Sequence, residues 1–268
     1  MNTKGSVRVA AVMCGPLLVG VLAATNAAAG TTTSTTSSTA SVAPATVSPN
    51  TLLNGLLCNP LTTTPTDAFP GTVVKADNFE SGVLSGYVIH QSGTGTVAVS
   101  DDQARTGYCA VHIHATTDST SLADMAVGLP SGTQVYADGW FNITTAGVTG
   151  NDVPYFRFFA GSTRAIDVYR YNSNGQLWLR VRSPAGTFTY TRLTTWAIPL
   201  NNWHHVQMHV IPNGSSTTVE VWFDEKELYS SKLVNTFATS ISSVLLGAEH
   251  YQQMEDNYVD DLIVKEVQ

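Results

Sequence analysis

Charged residues are scarce in this sequence, and basic residues are the scarcest. Lysine and arginine together number 13 among 268 residues, against 20 aspartates and glutamates, which gives a formal net charge of −7. A protein that binds nucleic acid through its phosphates needs a basic surface. The composition therefore argues against nucleic acid as a partner, and more weakly against strongly anionic glycans.

Long hydrophobic runs are also lacking, apart from one interrupted stretch near the N-terminus. Residues 9–22 are apolar but contain Gly15 and Pro16, so they are too short and too broken to span the ~20 residues of a bilayer. Basic residues precede this stretch, and three alanines at 27–29 supply a small-residue cleavage site. We therefore interpret residues 1–29 as a secretory signal peptide rather than a membrane anchor. The mature chain is expected to be secreted, extracellular or at the cell surface, without membrane insertion.

Cysteines are few, and only Cys58 and Cys109 follow the predicted signal peptide. In an oxidising extracellular compartment two cysteines usually pair. We predict a disulfide between them, and the alternative is two separately buried thiols.

Helical periodicity is absent from the mature chain. Residues 30–71 are predicted to be a stalk and a transition segment: 30–50 are rich in threonine, serine, alanine and proline and poor in large apolar side chains, which predicts disorder, whereas the leucines within 51–71 could dock on the domain. From 72 to 268, apolar residues recur with a period of two, as in 109–113 and 206–210, and turn residues separate these runs. Many short strands at regular spacing predict an all-β sandwich or barrel.

Three motifs carry a family resemblance. The segment 78–87 (NFESGVLSGY) resembles the opening of many secreted jelly-roll modules, with Tyr87 where tryptophan is usual. Residues 203–206 (WHHV), followed by 219–224 (VEVWFD), resemble a hairpin of laminin-G-like domains, and 258–264 (YVDDLIV) resembles their closing strand. The chain thus resembles the concanavalin A-like lectin/glucanase superfamily, laminin-G-like branch. The resemblance implies an antiparallel two-sheet jelly-roll sandwich over residues 72–268.

The resemblance does not imply one activity, because the superfamily contains lectins, carbohydrate-binding modules, glycosidases, lyases and adhesion domains. Its glucanases place three acids on one strand face in an E-x-D-x-E pattern. The nearest segment here, from Glu220 to Asp224, has no third acid in step. We therefore predict no catalytic residue.

Two metal hypotheses remain open. His112 and His114 share one face of a strand, as metal ligands do, or are simply two half-exposed histidines. The resemblance also implies that acidic residues of the opening and closing strands meet at the sandwich edge. That arrangement predicts a structural Ca²⁺ site, and the alternative is a solvated acidic rim. The four carboxylates in question are Asp77, Glu80, Asp260 and Asp261.

One hairpin is predicted in more detail, from 165–171 through a four-residue turn to 176–182. One face is apolar apart from Arg170. The other face mixes aromatic rings with charged groups, which suits the C–H faces and hydroxyls of sugars. The alternative is that these pairs only stabilise the sheet. The candidate carbohydrate-binding residues are Asp167, Tyr169, Tyr171, Trp178 and Arg180.

The sequence thus predicts a secreted, non-catalytic carbohydrate-binding or adhesion module whose partner is a polysaccharide or a cell-surface glycan. One alternative is a polysaccharide hydrolase or lyase of the same fold with an atypical acid pair. Another is a structural surface protein that binds no small ligand.

Overall fold

The structure is a computed structural model that describes residues 57–253 and 255–267. The predicted signal peptide and all but the last part of the predicted stalk lie outside these residues. Within them the chain forms two antiparallel sheets packed face to face, so the predicted all-β jelly-roll sandwich is confirmed.

The first sheet contains eight strands in the order β13-β12-β11-β6-β15-β4-β3, with β1 paired to the second half of β15. Its strands are β1 (Thr72–Asp77), β3 (Thr96–Ser100), β4 (Ala110–Ala115), β6 (Val135–Thr145), β11 (Trp203–Ile211), β12 (Thr217–Phe223), β13 (Lys226–Val234) and β15 (Glu255–Glu266).

The second sheet contains seven strands in the order β10-β9-β8-β7-β14-β5-β2. Its strands are β2 (Val88–Ser92), β5 (Leu122–Gly128), β7 (Asp152–Ala160), β8 (Thr163–Tyr171), β9 (Leu177–Arg182), β10 (Phe188–Arg192) and β14 (Ser243–Ala248).

The core lies between the two sheets and consists of the alternate apolar residues of their strands. At its centre the ring of Phe141 in β6 meets Tyr155 and Phe156 of β7 edge-on, with ring centroids 5.2 and 5.0 Å apart. Burying a side chain of this size contributes about 1.5–3 kcal/mol. This contact joins the middle strands of the two sheets.

The predicted four-residue turn between β8 and β9 is confirmed. The N–H of Tyr171 donates to the carbonyl of Gln176 over 2.9 Å, which closes the turn. Gly175 has a φ of 70°, and a Cβ there would lie 2.8 Å from the guanidinium of Arg170. Arg170 lies on the core side, as its register requires, and its Nε donates to the carbonyl of Ile198. This bond partly satisfies a charged group buried on an apolar face.

The β12–β13 hairpin turns through Asp224 and Glu225. Both residues have left-handed backbone conformations, with φ of 48° and 63°. This pair of positive φ values is typical of the tight turns that match the twist of a hairpin. The N–H of Asp224 donates to the carbonyl of His205 over 2.9 Å. That bond ties the turn to β11.

The described end of the predicted transition segment packs on the first sheet. Cys58 and Cys109 form a disulfide with their Cα atoms 5.2 Å apart, which confirms the predicted pairing. Phe69 stacks on Tyr136 with ring centroids 4.7 Å apart. Among all the described residues the helical content is a single 3-10 turn (Gly214–Ser216), and no helix there has the length and apolarity to cross a bilayer.

Candidate functional site

The predicted binding residues lie on the face of the second sheet that points away from the core. In the β8–β9 pair, Asp167 lies opposite Arg180 and Tyr169 lies opposite Trp178, as predicted from the sequence. The third strand, β10, continues these rows, because Tyr190 pairs with Arg180. Side chains from three neighbouring strands therefore converge on one surface.

This surface contains a groove of about 440 Å³, which we call the Trp178 groove. Four of the five predicted binding residues line it, and the fifth, Asp167, is fully buried against Arg180. The lining residues are Gly150, Asp152, Tyr169, Tyr171, Trp178, Arg180 and Tyr190.

The aromatic rings of the groove differ in exposure. Tyr190 is 55% exposed, and Trp178 and Tyr171 are half-buried, with ring centroids 6.3 Å apart in an edge-on arrangement. Tyr169 is buried, because the guanidinium of Arg180 covers its ring at 4.6 Å from the centroid. Tyr169 therefore supports the floor and does not present a ring face to a ligand.

A network of ion pairs forms the floor. The Nε of Arg180 donates to Asp167 over 2.9 Å, and its Nη2 donates to Asp152 over 3.0 Å. The fully buried Arg157 donates to the same oxygen of Asp152 over 2.9 Å. Burial alone would raise the pKa of Asp152, but the charges of Arg157 and Arg180 hold it below its usual value. Asp152 is therefore ionised at neutral pH.

The network extends beyond the groove and is balanced in charge. Arg164 and Arg157 each approach Glu249 at 3.4 Å, and Arg164 approaches Asp167 at 3.8 Å. Three arginines thus face three acids. The network is Arg157, Arg164, Arg180, Asp152, Asp167 and Glu249.

Three lining residues were missed by the sequence analysis: Gly150, Asp152 and Tyr190. Tyr190 follows the Pro184–Gly186 turn signal and alternates with Phe188, so extending the hairpin to a third strand would have found it. Asp152 lies at the start of β7, and no local pattern connects it to β9. The one signal in β7 was an arginine, Arg157, among apolar strand residues.

The outer face of the first sheet has a second cavity of about 810 Å³, and residues 61–68 form one of its walls. Trp140 and His205 both line it and stack on each other with ring centroids 4.7 Å apart, and the guanidinium of Arg105 lies 4.1 Å from the ring centroid of Trp140. Burial alone would lower the pKa of His205. Hydrogen bonds to Asp138, at 2.7 Å, and to Glu225 outweigh this and raise it.

Two of the predicted calcium ligands are occupied by backbone donors. Glu80 is buried and accepts from the N–H groups of Tyr108 and Cys109 over 2.5 and 2.7 Å. Asp260 accepts from the N–H groups of Arg105 and Thr106 over 2.8 and 3.0 Å. Burial, with the charge of the adjacent Asp261, raises the pKa of Asp260 to about 7.

The other two predicted ligands are also engaged. Asp77 pairs with Lys75 at 3.0 Å, and Asp261 accepts from the hydroxyl of Thr106 over 2.9 Å. Among the described residues, no three of the four predicted carboxylates have ligand oxygens within 4.8 Å of one another. Calcium binding at this edge stays a prediction.

The chain matches no protein-family model, and its sequence matches no curated protein. Solved structures do resemble it. An endo-beta-1,4-glucuronan lyase from the fungus Trichoderma reesei has 15% identity, with 69% of this chain and 93% of the lyase covered at a TM-score of 0.56. The cellulose induced protein Cip1 has 17% identity, with 71% and 96% covered at a TM-score of 0.57.

A third similar structure is a carbohydrate esterase from the Shiga toxin-encoding bacteriophage phi24B, with 14% identity. In that case 68% of this chain and 91% of the esterase are covered, at a TM-score of 0.51. At such low identity these likenesses show the β-sandwich fold alone.

Proposed function

We propose that this protein binds a polysaccharide in the Trp178 groove without cleaving it. The observation that carries the proposal is the set of partly exposed rings of Tyr171, Trp178 and Tyr190 above a floor of ordered hydrogen-bonding groups. An aromatic ring face packs well on the C–H face of a pyranose, and the adjacent polar groups bind its hydroxyls.

Arg180 and Asp152 provide the polar part of the groove. The two side chains fix each other through their ion pair, and both line the groove surface. Ordered donors and acceptors lose little conformational entropy when a ligand binds, so they favour recognition. The floor therefore supports specific contacts to hydroxyl groups while the rings supply most of the contact area.

The same floor argues against glycoside hydrolysis. That reaction needs one carboxyl group that is protonated and one that is ionised. Asp152 is held ionised by Arg157 and Arg180, and Asp167 is completely buried, so neither is placed to donate a proton to a bound sugar. These features support a binding function over the hydrolase alternative.

A histidine–aspartate pair on the same sheet is too distant to act in the groove. His90 on β2 contacts Asp124 on β5 over 2.8 Å. In the order of the sheet, β2 lies five strands from β9, which is about 24 Å at the usual strand spacing. A sugar stacked on Trp178 is therefore out of reach of this pair.

We also infer that the chain belongs to the concanavalin A-like superfamily and is secreted. The jelly-roll sandwich and the three sequence motifs support the first inference. The Cys58–Cys109 disulfide supports the second, because disulfides persist in oxidising extracellular compartments. Secretion gives the protein access to polysaccharides outside the cell.

Binding to a panel of polysaccharides tests the proposal. The panel includes neutral glucans, xylans and mannans as well as polyuronates, and the protein is compared with Trp178→Ala and Tyr190→Ala. We expect each variant to weaken binding by about tenfold, which corresponds to 1.4 kcal/mol. Tyr108→Ala is the matched control, because Tyr108 is 48% exposed and lies outside the groove.

Either of two results would refute the location of the site: no binding to any member of the panel, or binding that the groove variants leave unchanged. Release of reducing ends or of unsaturated sugars from a bound polymer would show catalysis and favour the hydrolase or lyase alternative. A complete lack of binding would favour a structural surface role.

A further inference from the structure

Two histidines and one aspartate meet on the outer face of the first sheet, away from the Trp178 groove. His112 and His114 alternate with the core residues Val111 and Ile113 of β4, so both imidazoles point outward. Asp256 on the neighbouring strand β15 lies opposite His114. The register of two antiparallel strands therefore brings together residues that are more than 140 positions apart.

The two histidines approach the same carboxylate oxygen of Asp256. The Nε2 of His112 contacts Oδ1 of Asp256, and the Nδ1 of His114 lies 3.7 Å from the same oxygen. One ligand atom from each of the three residues lies within 4.8 Å of the ligand atoms of the other two. Among the described residues, no other group of three or more histidines, cysteines or acids meets this distance. A tetrahedral metal ion with bonds of about 2.0–2.1 Å would hold such atoms roughly 3.3 Å apart, so small side-chain rotations suffice.

Neighbouring residues hold two of the three side chains in place. The ring of His112 stacks on Tyr258 with centroids 4.3 Å apart and an interplanar angle of 5°. The second carboxylate oxygen of Asp256 accepts from the hydroxyl of Thr145 over 3.2 Å. Partners of this kind orient metal ligands and raise affinity.

The group is also open to solvent. The side chains of His112, His114 and Asp256 are 25%, 38% and 27% exposed. The adjacent edge strand β3 places only the small residues Thr96 and Ala98 opposite the two histidines. An ion can therefore reach the group from outside and retain a water ligand.

We propose that His112, His114 and Asp256 bind a divalent transition-metal ion, with Zn²⁺ as the probe. Two imidazoles and one carboxylate suit Zn²⁺, Cu²⁺ or Ni²⁺, whereas Ca²⁺ and Mg²⁺ prefer sites made only of oxygen ligands. Three protein ligands leave at least one coordination position for water. The site is independent of the polysaccharide proposal, because it lies on the other sheet.

Isothermal titration of the full chain with Zn²⁺ tests this proposal, using protein without a polyhistidine tag and stripped of metal beforehand. We expect one Zn²⁺ per chain, and we expect His114→Ala and Asp256→Asn each to weaken binding by about tenfold or more. His90→Ala is the matched control, because His90 also contacts an aspartate but has no second histidine beside it. The control should bind Zn²⁺ like the unchanged protein.

Substitution with Co²⁺ gives a second readout, since four- or five-coordinate Co²⁺ held by protein ligands absorbs visible light more strongly than hydrated Co²⁺, and this band should disappear in His114→Ala. Circular dichroism confirms that each variant is folded. The proposal is overturned if Zn²⁺ does not bind, if both site variants bind it unchanged, or if His90→Ala weakens binding as much as His114→Ala does.

Discussion

Replacing Arg157 by methionine should destabilise the protein through the charges that it leaves behind. Arg157 is completely buried and lies 2.9 Å from Asp152, 3.6 Å from Asp167 and 3.4 Å from Glu249. Its Nη1 also donates to the carbonyl of Gly247 over 3.0 Å. Methionine is unbranched, flexible and uncharged, so the change removes the positive charge while apolar atoms still fill part of the space.

The expected loss follows from which partners remain. Removing one member of a buried ion pair generally costs about 3–5 kcal/mol, because the other charge stays buried without compensation. Here both aspartates still contact Arg180, and Glu249 still contacts Arg164. We therefore expect the lower end of that range, about 3 kcal/mol. This is a large part of the 5–15 kcal/mol that stabilises a typical domain.

Urea unfolding followed by tryptophan fluorescence measures this loss. Arg192→Met is the matched control, since Arg192 is exposed on β10 and should change the free energy of unfolding by less than about 0.5 kcal/mol. Adding Asp152→Asn to Arg157→Met should recover part of the loss, because it removes one uncompensated charge. A loss below about 1 kcal/mol for Arg157→Met, or no recovery in the double variant, would refute the reasoning.

Three further predictions concern the rest of the fold. The pKa of His205 is raised in the folded protein, so its stabilising contribution should be complete below about pH 6.5 and should be lost as the pH rises through the pKa of the folded state. In a plot of melting temperature against pH, Asp138→Asn should flatten this part of the curve. Gln252→Gly should stabilise the protein by about 0.5 kcal/mol in thermal melts, because Gln252 is exposed with a left-handed φ of 65° and relief of this backbone exceeds the entropy cost of glycine. Replacing Cys58 and Cys109 by alanine should lower the free energy of unfolding by about 4 kcal/mol in urea, since the disulfide joins residues 51 positions apart.

Local patterns in the sequence were sufficient for the fold class and for one hairpin. Strand alternation and a short turn fix the register of a hairpin, so the opposition of Tyr169 and Trp178 could be predicted from 18 consecutive residues. The side-chain surroundings could not. Tyr169 is buried because Arg180 folds over its ring, and the position of Arg180 depends on Asp152 from another hairpin.

Long-range pairing explains the rest of what the sequence did not reveal. The histidines at 112 and 114 showed a possible pair of metal ligands, but the acid that completes the group lies on β15. The nearest acid in the sequence was Asp118, which is exposed and caps its own turn through Thr120. Which strands become neighbours depends on the packing of the whole sandwich, and no local period encodes it.

The charge balance of the floor bears on the class of sugar that the Trp178 groove would accept. The arginines of the network are already paired with Asp152, Asp167 and Glu249, so a carboxylate on a ligand would have to compete with these buried partners for Arg180. Arg192 on the edge strand lies opposite Trp178, and Arg182 lies two residues beyond Arg180, but both are at least partly exposed and offer only a screened surface charge. The stacking surface, by contrast, is available to any pyranose with an apolar face. Neutral polysaccharides should therefore bind better than polyuronates, and their binding should change little with salt.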